Sequence, residues 1–124
     1  MSNERLIFIV DDDVMYTQML LDHLSGDQRN KVSAFSTGEE CLKKLHESPS
    51  IIILDYNLNL VEKDAKNGLE ILEQIKKINK EAKIIMLSSQ ERYGVALQTI
   101  SKGAEQYVVK DTSAFDKINA IINP

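Results

Sequence analysis

The stretch Ile51-Ile52-Ile53-Leu54-Asp55 decides the fold. Four large apolar residues follow one another without alternation, the pattern of a strand covered on both faces in a parallel sheet. The run stops at a carboxylate, which places Asp55 where the strand leaves the core. In open α/β sheets that carboxyl edge is where ligands bind. Three more strands end in the same manner. Leu6–Val10 stops at Asp11-Asp12-Asp13, Ile84–Leu87 at Ser88-Ser89, and Tyr107–Val109 at Lys110. Lys31–Phe35 alternates polar and apolar residues and reads as a more exposed strand, the second in chain order.

Helical patterns fill the gaps. The first carries Tyr16, Met19, Leu20 and Leu24 on one face and ends near Ser25-Gly26, where glycine can supply the turn. Thr37 and Glu40 have the spacing of a capping box for a helix that buries Cys41, Leu42 and Leu45. A third starts near Asn67-Gly68, with Leu72 and Ile75 inward and Leu69 or Ile78 as a further contact. A weaker one, from Tyr93 to Ser101, has Val95, Ala96 and Ile100 and stops at Gly103. The last is capped by Thr112 or Ser113 and carries Phe115, Ile118 and Ile122. Five β/α repeats in 124 residues predict one domain, residues 1–124, with an α/β three-layer doubly wound sheet. Right-handed crossovers follow from chain chirality, whereas periodicity does not give the strand order.

Composition narrows the function. A net charge of −4 argues against direct nucleic-acid binding. One cysteine, Cys41, excludes an intrachain disulfide and a thiolate metal cage. No run approaches the ~20 apolar residues of a membrane span, and the polar N-terminus is unlike a signal peptide, so a cytoplasmic protein is expected. If the strand ends converge, three or more carboxylates meet and each resists ionising. A cation relieves that. All the side-chain ligands are oxygens, which favours a hard dication, and Mg²⁺ fits better than Ca²⁺ where water and a phosphate must share the coordination. Lys110 is expected on the opposite side of the site, with Ser88 as a neutral donor. Such a group suits phosphoryl transfer, with Asp55 as the attacking carboxylate.

These residues also carry a resemblance. The chain resembles the receiver domain of two-component response regulators along nearly its whole length. Asp11 and Asp12 resemble the family's metal-binding acids, and Asp13 a neighbouring position that is often acidic. Asp55 resembles the phosphoacceptor, and Asn57 the position whose backbone carbonyl binds the metal. Ser88 and Tyr107 resemble the switch hydroxyl and switch aromatic, and Lys110 the site lysine. Asn57 and Gln90 resemble the pair that tunes dephosphorylation. The resemblance implies a flavodoxin-like strand order, 2-1-3-4-5. It implies phosphorylation by a histidine kinase or histidine phosphotransfer protein, and a downstream partner on the face of helix 4, strand 5 and helix 5, with a homodimer compatible. It implies a phosphoacceptor rather than an enzyme.

Two positions depart from the family. Asn59 stands where a proline is usual, and the glycine expected soon afterwards is Gly68, so Leu60 to Lys66 contains an insertion. Its Glu62, Lys63 and Asp64 could contact a partner or shade the phosphoryl group. Asp111 replaces the proline after the lysine, and a trans bond is expected there, since a cis non-proline bond costs ~2.5–4 kcal/mol.

Other uses of the same residues are plainer. Asp13 serves as a helix cap, Cys41 as a core residue, and His23 and His46 as exposed helix residues. Two functions compete with phosphoryl acceptance. One is a docking module that needs no phosphorylation. The other is a small Mg²⁺-dependent phosphatase that uses an aspartyl phosphate; such enzymes resemble an Asp-x-Asp, and here the second position is Asn57. With no effector sequence after the last helix, the chain fits either a complete module or a piece of a longer regulator.

Overall fold

The computed structural model describes residues 4–58, 66–89 and 93–124. The chain alternates strand and helix: β1 (Arg5–Val10), α1 (Val14–Ser25), β2 (Asn30–Phe35), α2 (Gly38–Lys43), β3 (Ile51–Asp55), α3 (Gly68–Ile78), β4 (Lys83–Ser88), α4 (Tyr93–Ser101), β5 (Gln106–Val109) and α5 (Ala114–Ile122). A 3₁₀ turn, Leu45–Glu47, extends α2. All strand pairs are parallel and the order is β2-β1-β3-β4-β5, the flavodoxin-like order.

The sheet is central because its middle strands are apolar on both sides. Every residue of β3 is buried, as are the last four of β1 and the last five of β4. Alternate side chains point to opposite faces. Phe8, Val10, Ile52, Leu54, Ile84 and Met86 pack against Cys41, Ile71, Leu72 and Ile75 of α2 and α3. Ile7, Ile9, Ile53, Ile85, Leu87 and Val108 pack against Leu20 and Leu24 of α1 and Ile118 and Ile122 of α5. Register carries the strand ends to one rim: Val10 lies beside Leu54, Asp55 beside Leu87, and Ser88 beside Val109.

Several helical faces differ from expectation. Met19 is 52% exposed, and α1 is held by Leu20 and Leu24. Of Leu69 and Ile78, Leu69 makes the further contact as expected and Ile78 is exposed, while Ile71 takes an inward place beside Leu72 and Ile75. The buried residue of α4 is Thr99, whose hydroxyl donates to the Ala96 carbonyl, while Ile100 faces out. A hydroxyl that satisfies itself on its own helix can be buried where sequence favours an aliphatic neighbour.

The caps differ too. Thr37 Oγ1 accepts from the Glu40 N–H, but the Glu40 carboxylate turns to the Ser36 and Thr37 hydroxyls, so only half a capping box forms. The complete box is at α3, between Asn67 and Glu70. Gly26 is right-handed (φ −63°), whereas Gly103 (φ +114°) does end α4 in the left-handed region. Ser113 precedes α5 without capping it by its side chain; Asp111 Oδ1 accepts from both its N–H and its hydroxyl. No cis peptide bond occurs among the described residues, so Lys110–Asp111 is trans, as expected. Most of the 60–66 insertion, with Glu62, Lys63 and Asp64, lies outside the described residues, as do Asn59 and Gln90.

Candidate functional site

Asp11 follows β1, Asp55 ends β3, Ser88 ends β4 and Lys110 follows β5, so parallel register gathers them. One carboxylate oxygen each from Asp11, Asp12 and Asp55 lies within 4.8 Å of the others. Asp11 and Asp55 are buried at 3% exposure each, while Asp12 is half-buried. Lys110 Nζ sits 2.8 Å from Asp11 Oδ2 and 3.5 Å from Asp55 Oδ1. The lysine is therefore between the two buried carboxylates, not across the site from them. Its backbone N–H donates to the Ser88 carbonyl at 2.8 Å, which ties β5 to the end of β4.

The acidic turn is ordered by its own backbone. Asp11 Oδ1 accepts from the Asp13 N–H at 2.9 Å, and Asp13 Oδ1 accepts from the Tyr16 N–H at 3.1 Å. Asp13 is thus the N-cap of α1, as expected. The other Asp11 oxygen, Oδ2, is buried with no hydrogen bond apart from the Lys110 ion pair. Burial, and after it the charge of Asp11, pushes the Asp55 carboxyl up to about 7, against the pull of Lys110 and the Asn57 N–H. Burial alone would lower Lys110, but the Asp11 hydrogen bond and the Asp55 charge outweigh it and raise the ammonium's pKa. The site sets two buried carboxyl groups against one half-buried cation, and Asp12 adds a third acid.

Ser88 is buried at the rim, 1% exposed. Tyr107 is half-buried on β5, in register with Met86, and packs on the α2/α3 side of the sheet. Asn57 is half-buried after β3, and its N–H bonds the Asp55 carboxylate.

Two residues of the site were not anticipated in that role. Tyr16, read as helix packing, places its ring 4.5 Å from Lys110 Nζ. Its position one turn past the acidic triplet was the available signal, because the first turn of a helix that follows a strand lies over the rim. Gly68 abuts the end of β3: a Cβ there would come 2.3 Å from the Asp55 carbonyl oxygen and 2.7 Å from Tyr56 Cα. Its N–H donates to the Tyr56 carbonyl.

The family model described as the response regulator receiver domain matches residues 7–123. The chain belongs to this family. This receiver domain is similar to the chemotaxis protein CheY of Listeria monocytogenes serovar 1/2a, 32% identical over 118 residues that span 94% of this chain and 95% of that protein. It is 29% identical over 117 residues to the response regulator protein VraR of Staphylococcus saprophyticus, spanning 93% of this chain and 54% of that one. A solved CheY-like receiver domain protein from Methanospirillum hungatei JF-1 shares the fold, with a TM-score of 0.83 at 23% identity over 97% of this chain and 92% of that one. Among the described residues of this receiver domain, no helix is long and apolar enough to cross a membrane.

Proposed function

We propose that residues 1–124 act as one receiver domain that accepts a phosphoryl group on Asp55 from a phosphohistidine of a histidine kinase or histidine phosphotransfer protein. The observation that carries this is the Lys110 ammonium lodged between the buried carboxylates of Asp11 and Asp55, with Asp12 beside them. Asp55 supplies an oxygen to phosphorus, the P–N bond of the donor breaks, and its electron pair leaves with the imidazole nitrogen. Lys110 lies within reach of the equatorial oxygens, where charge is spread in such transfers. Hydrolysis reverses the modification: water attacks phosphorus, the P–O bond to Asp55 breaks, and carboxylate and inorganic phosphate result. No titrating general base at Asn57 assists that step, so water access sets the lifetime.

The donor set fits Mg²⁺. Asp11, Asp12 and Asp55 offer only oxygens, one of them the buried Asp11 Oδ2, and the site has negative charge to spare. Asp11, Asp12, Asp55 and the Asn57 carbonyl would hold the ion. When bound, it supplies countercharge to the transferring phosphoryl oxygens.

Phosphoryl oxygens on Asp55 give the Ser88 hydroxyl and Lys110 new acceptors. Ser88 moving inward makes room for Tyr107, and the face of α4, β5 and α5 changes shape. Tyr93, Leu97 and Ile100 are exposed on α4, which gives that face an apolar stripe for a partner. A swing from 1:99 to 99:1 needs about 5.5 kcal/mol, and one hydrogen bond to a charged group supplies ~1.5–3 kcal/mol. The phosphoryl group therefore shifts the equilibrium in part and the partner completes it. Ser88→Ala is expected to weaken the coupling between phosphorylation and partner binding; full coupling in that variant would refute the role of the hydroxyl.

The deciding experiment is incubation with acetyl phosphate and Mg²⁺, followed by intact mass. A single phosphoryl adduct, labile to hydroxylamine and absent in Asp55→Asn, is expected. A chain that takes no adduct and binds no beryllofluoride would instead be the docking module.

A further inference from the structure

The third side of the Lys110 ammonium is closed by an aromatic ring. Asp11 and Asp55 take two sides, and the Tyr16 ring centroid lies 4.5 Å away, inside the ~6 Å within which a ring attracts a cation. Tyr16 is held at its backbone and at its ring. Asp13 caps the Tyr16 N–H, and Asp13 itself donates its N–H to Asp11. Phe115 of α5 meets Tyr16 edge to face at 5.7 Å, and His23 packs on Phe115 at 5.1 Å. One short chain of contacts thus runs from Asp11 through Asp13 to Tyr16 and back to the lysine that pairs with Asp11. The Tyr16 hydroxyl is buried without a hydrogen-bond partner, so the ring is not placed there by its polar end.

We propose that Tyr16 is a positioning residue for phosphoryl acceptance, whose ring confines the Lys110 ammonium to the space between Asp11 and Asp55. This rests on the phosphoryl-acceptance reading of the site. A lysine stem is flexible and its ammonium prefers water. The ring denies it that alternative direction. Nζ lies 2.8 Å from Asp11 and 3.5 Å from Asp55, so engaging phosphoryl oxygens on Asp55 asks for a short shift at most. With the ring in place that shift is a short transfer between two neighbours rather than a capture from solvent. Its effect falls on the transfer step and not on the binding of a small donor.

The competing account is that Tyr16 only packs α1 against α5. The test uses Tyr16→Met, which keeps bulk without a ring, and Tyr16→Phe, which keeps the ring without the hydroxyl. Phosphorylation is followed over a series of acetyl phosphate concentrations with Mg²⁺. The maximal rate of Tyr16→Met is expected to fall about threefold to thirtyfold, with the half-saturating concentration unchanged to within about twofold. Tyr16→Phe should keep its maximal rate to within about twofold. A Tyr16→Met variant with the wild-type maximal rate would overturn the proposal, and so would Tyr16→Phe falling as far as Tyr16→Met. NMR supplies a readout that packing alone would not move. The Lys110 ε-methylene protons should be shifted upfield by the ring in the wild type and in Tyr16→Phe, whether or not Tyr16→Met folds. Ordinary lysine shifts in both would refute the contact. Should the wild type take no label, the phosphoryl-acceptance reading fails by itself, while the methylene shift still decides the Tyr16–Lys110 contact.

Discussion

Asp55 is a carboxylate that the fold makes expensive to ionise. Burial and the charge of Asp11 raise its pKa to about 7, against ~3.9 for a solvated aspartate. Between these values the folded chain keeps a proton that the unfolded chain has released. Stability is then expected to fall as pH rises through that window, with the full cost present above about 7. Urea unfolding without divalent cation, compared at pH 5 and pH 8, checks the sign. Asp55→Asn should stabilise the chain by about 1–3 kcal/mol at pH 8 and make no comparable difference near pH 4. Mg²⁺ should raise the wild-type midpoint at pH 8 more than that of the variant. Part of this was legible in the residues: crowded acids at converging strand ends must resist ionisation. The place of Lys110 was not, because a strand end fixes where a side chain begins and a four-carbon stem leaves open where it finishes. Tyr16 was hidden for a related reason, since helical spacing assigns a tyrosine to a face without saying whether its ring meets aliphatic carbon or an ammonium.

At the scale of elements, α3 is fastened to the end of β3 at its first turn. The Asn67–Glu70 box satisfies two N–H groups there. Asn67→Ala is expected to cost about 1 kcal/mol in urea unfolding. Gly68→Ala should cost more and should also slow acetyl phosphate labelling, because its methyl would press on the backbone of Asp55 and Tyr56. Strands were legible because four of them are near-continuous apolar runs. Helical faces were less so. Each of α1, α3 and α4 carries more large apolar residues than its neighbours can cover, and sequence does not say whether Met19 or Leu20, Ile78 or Ile71, goes inside. Thr37 and Glu40 had the right spacing for a reciprocal cap, but Ser36 competes for the same carboxylate. Asn67 and Glu70 have no competing hydroxyl beside them, and there the box closes.

For the molecule as a whole, the layering followed from the apolar runs, while the 2-1-3-4-5 order came from family resemblance. Local periodicity contains no information about which strands are neighbours. The far rim of the sheet is joined by Arg5, which bonds Asn30, Asp27, Asn123 and the Ile122 carbonyl. Arg29 also bonds Asp27 and Asn123, and the Arg29 hydrogen bonds to Asp27 hold its carboxyl well below the usual carboxylate range. Arg5→Ala is expected to lower stability by roughly 1–3 kcal/mol, yet to leave the acetyl phosphate labelling rate unchanged, since its contacts lie a strand's length from Asp55. Equal losses in both measurements would mean that the two rims are coupled. Through Arg5 the first strand and the last helix are clasped together beneath the sheet. A fluorophore, affinity handle or second polypeptide grafted after α5 would leave the protein from underneath, with the acidic mouth clear above it. Such an appendage would answer to the chemistry at Asp55 through a change carried to the surface, on the face of α4, β5 and α5, rather than by touching the carboxylate.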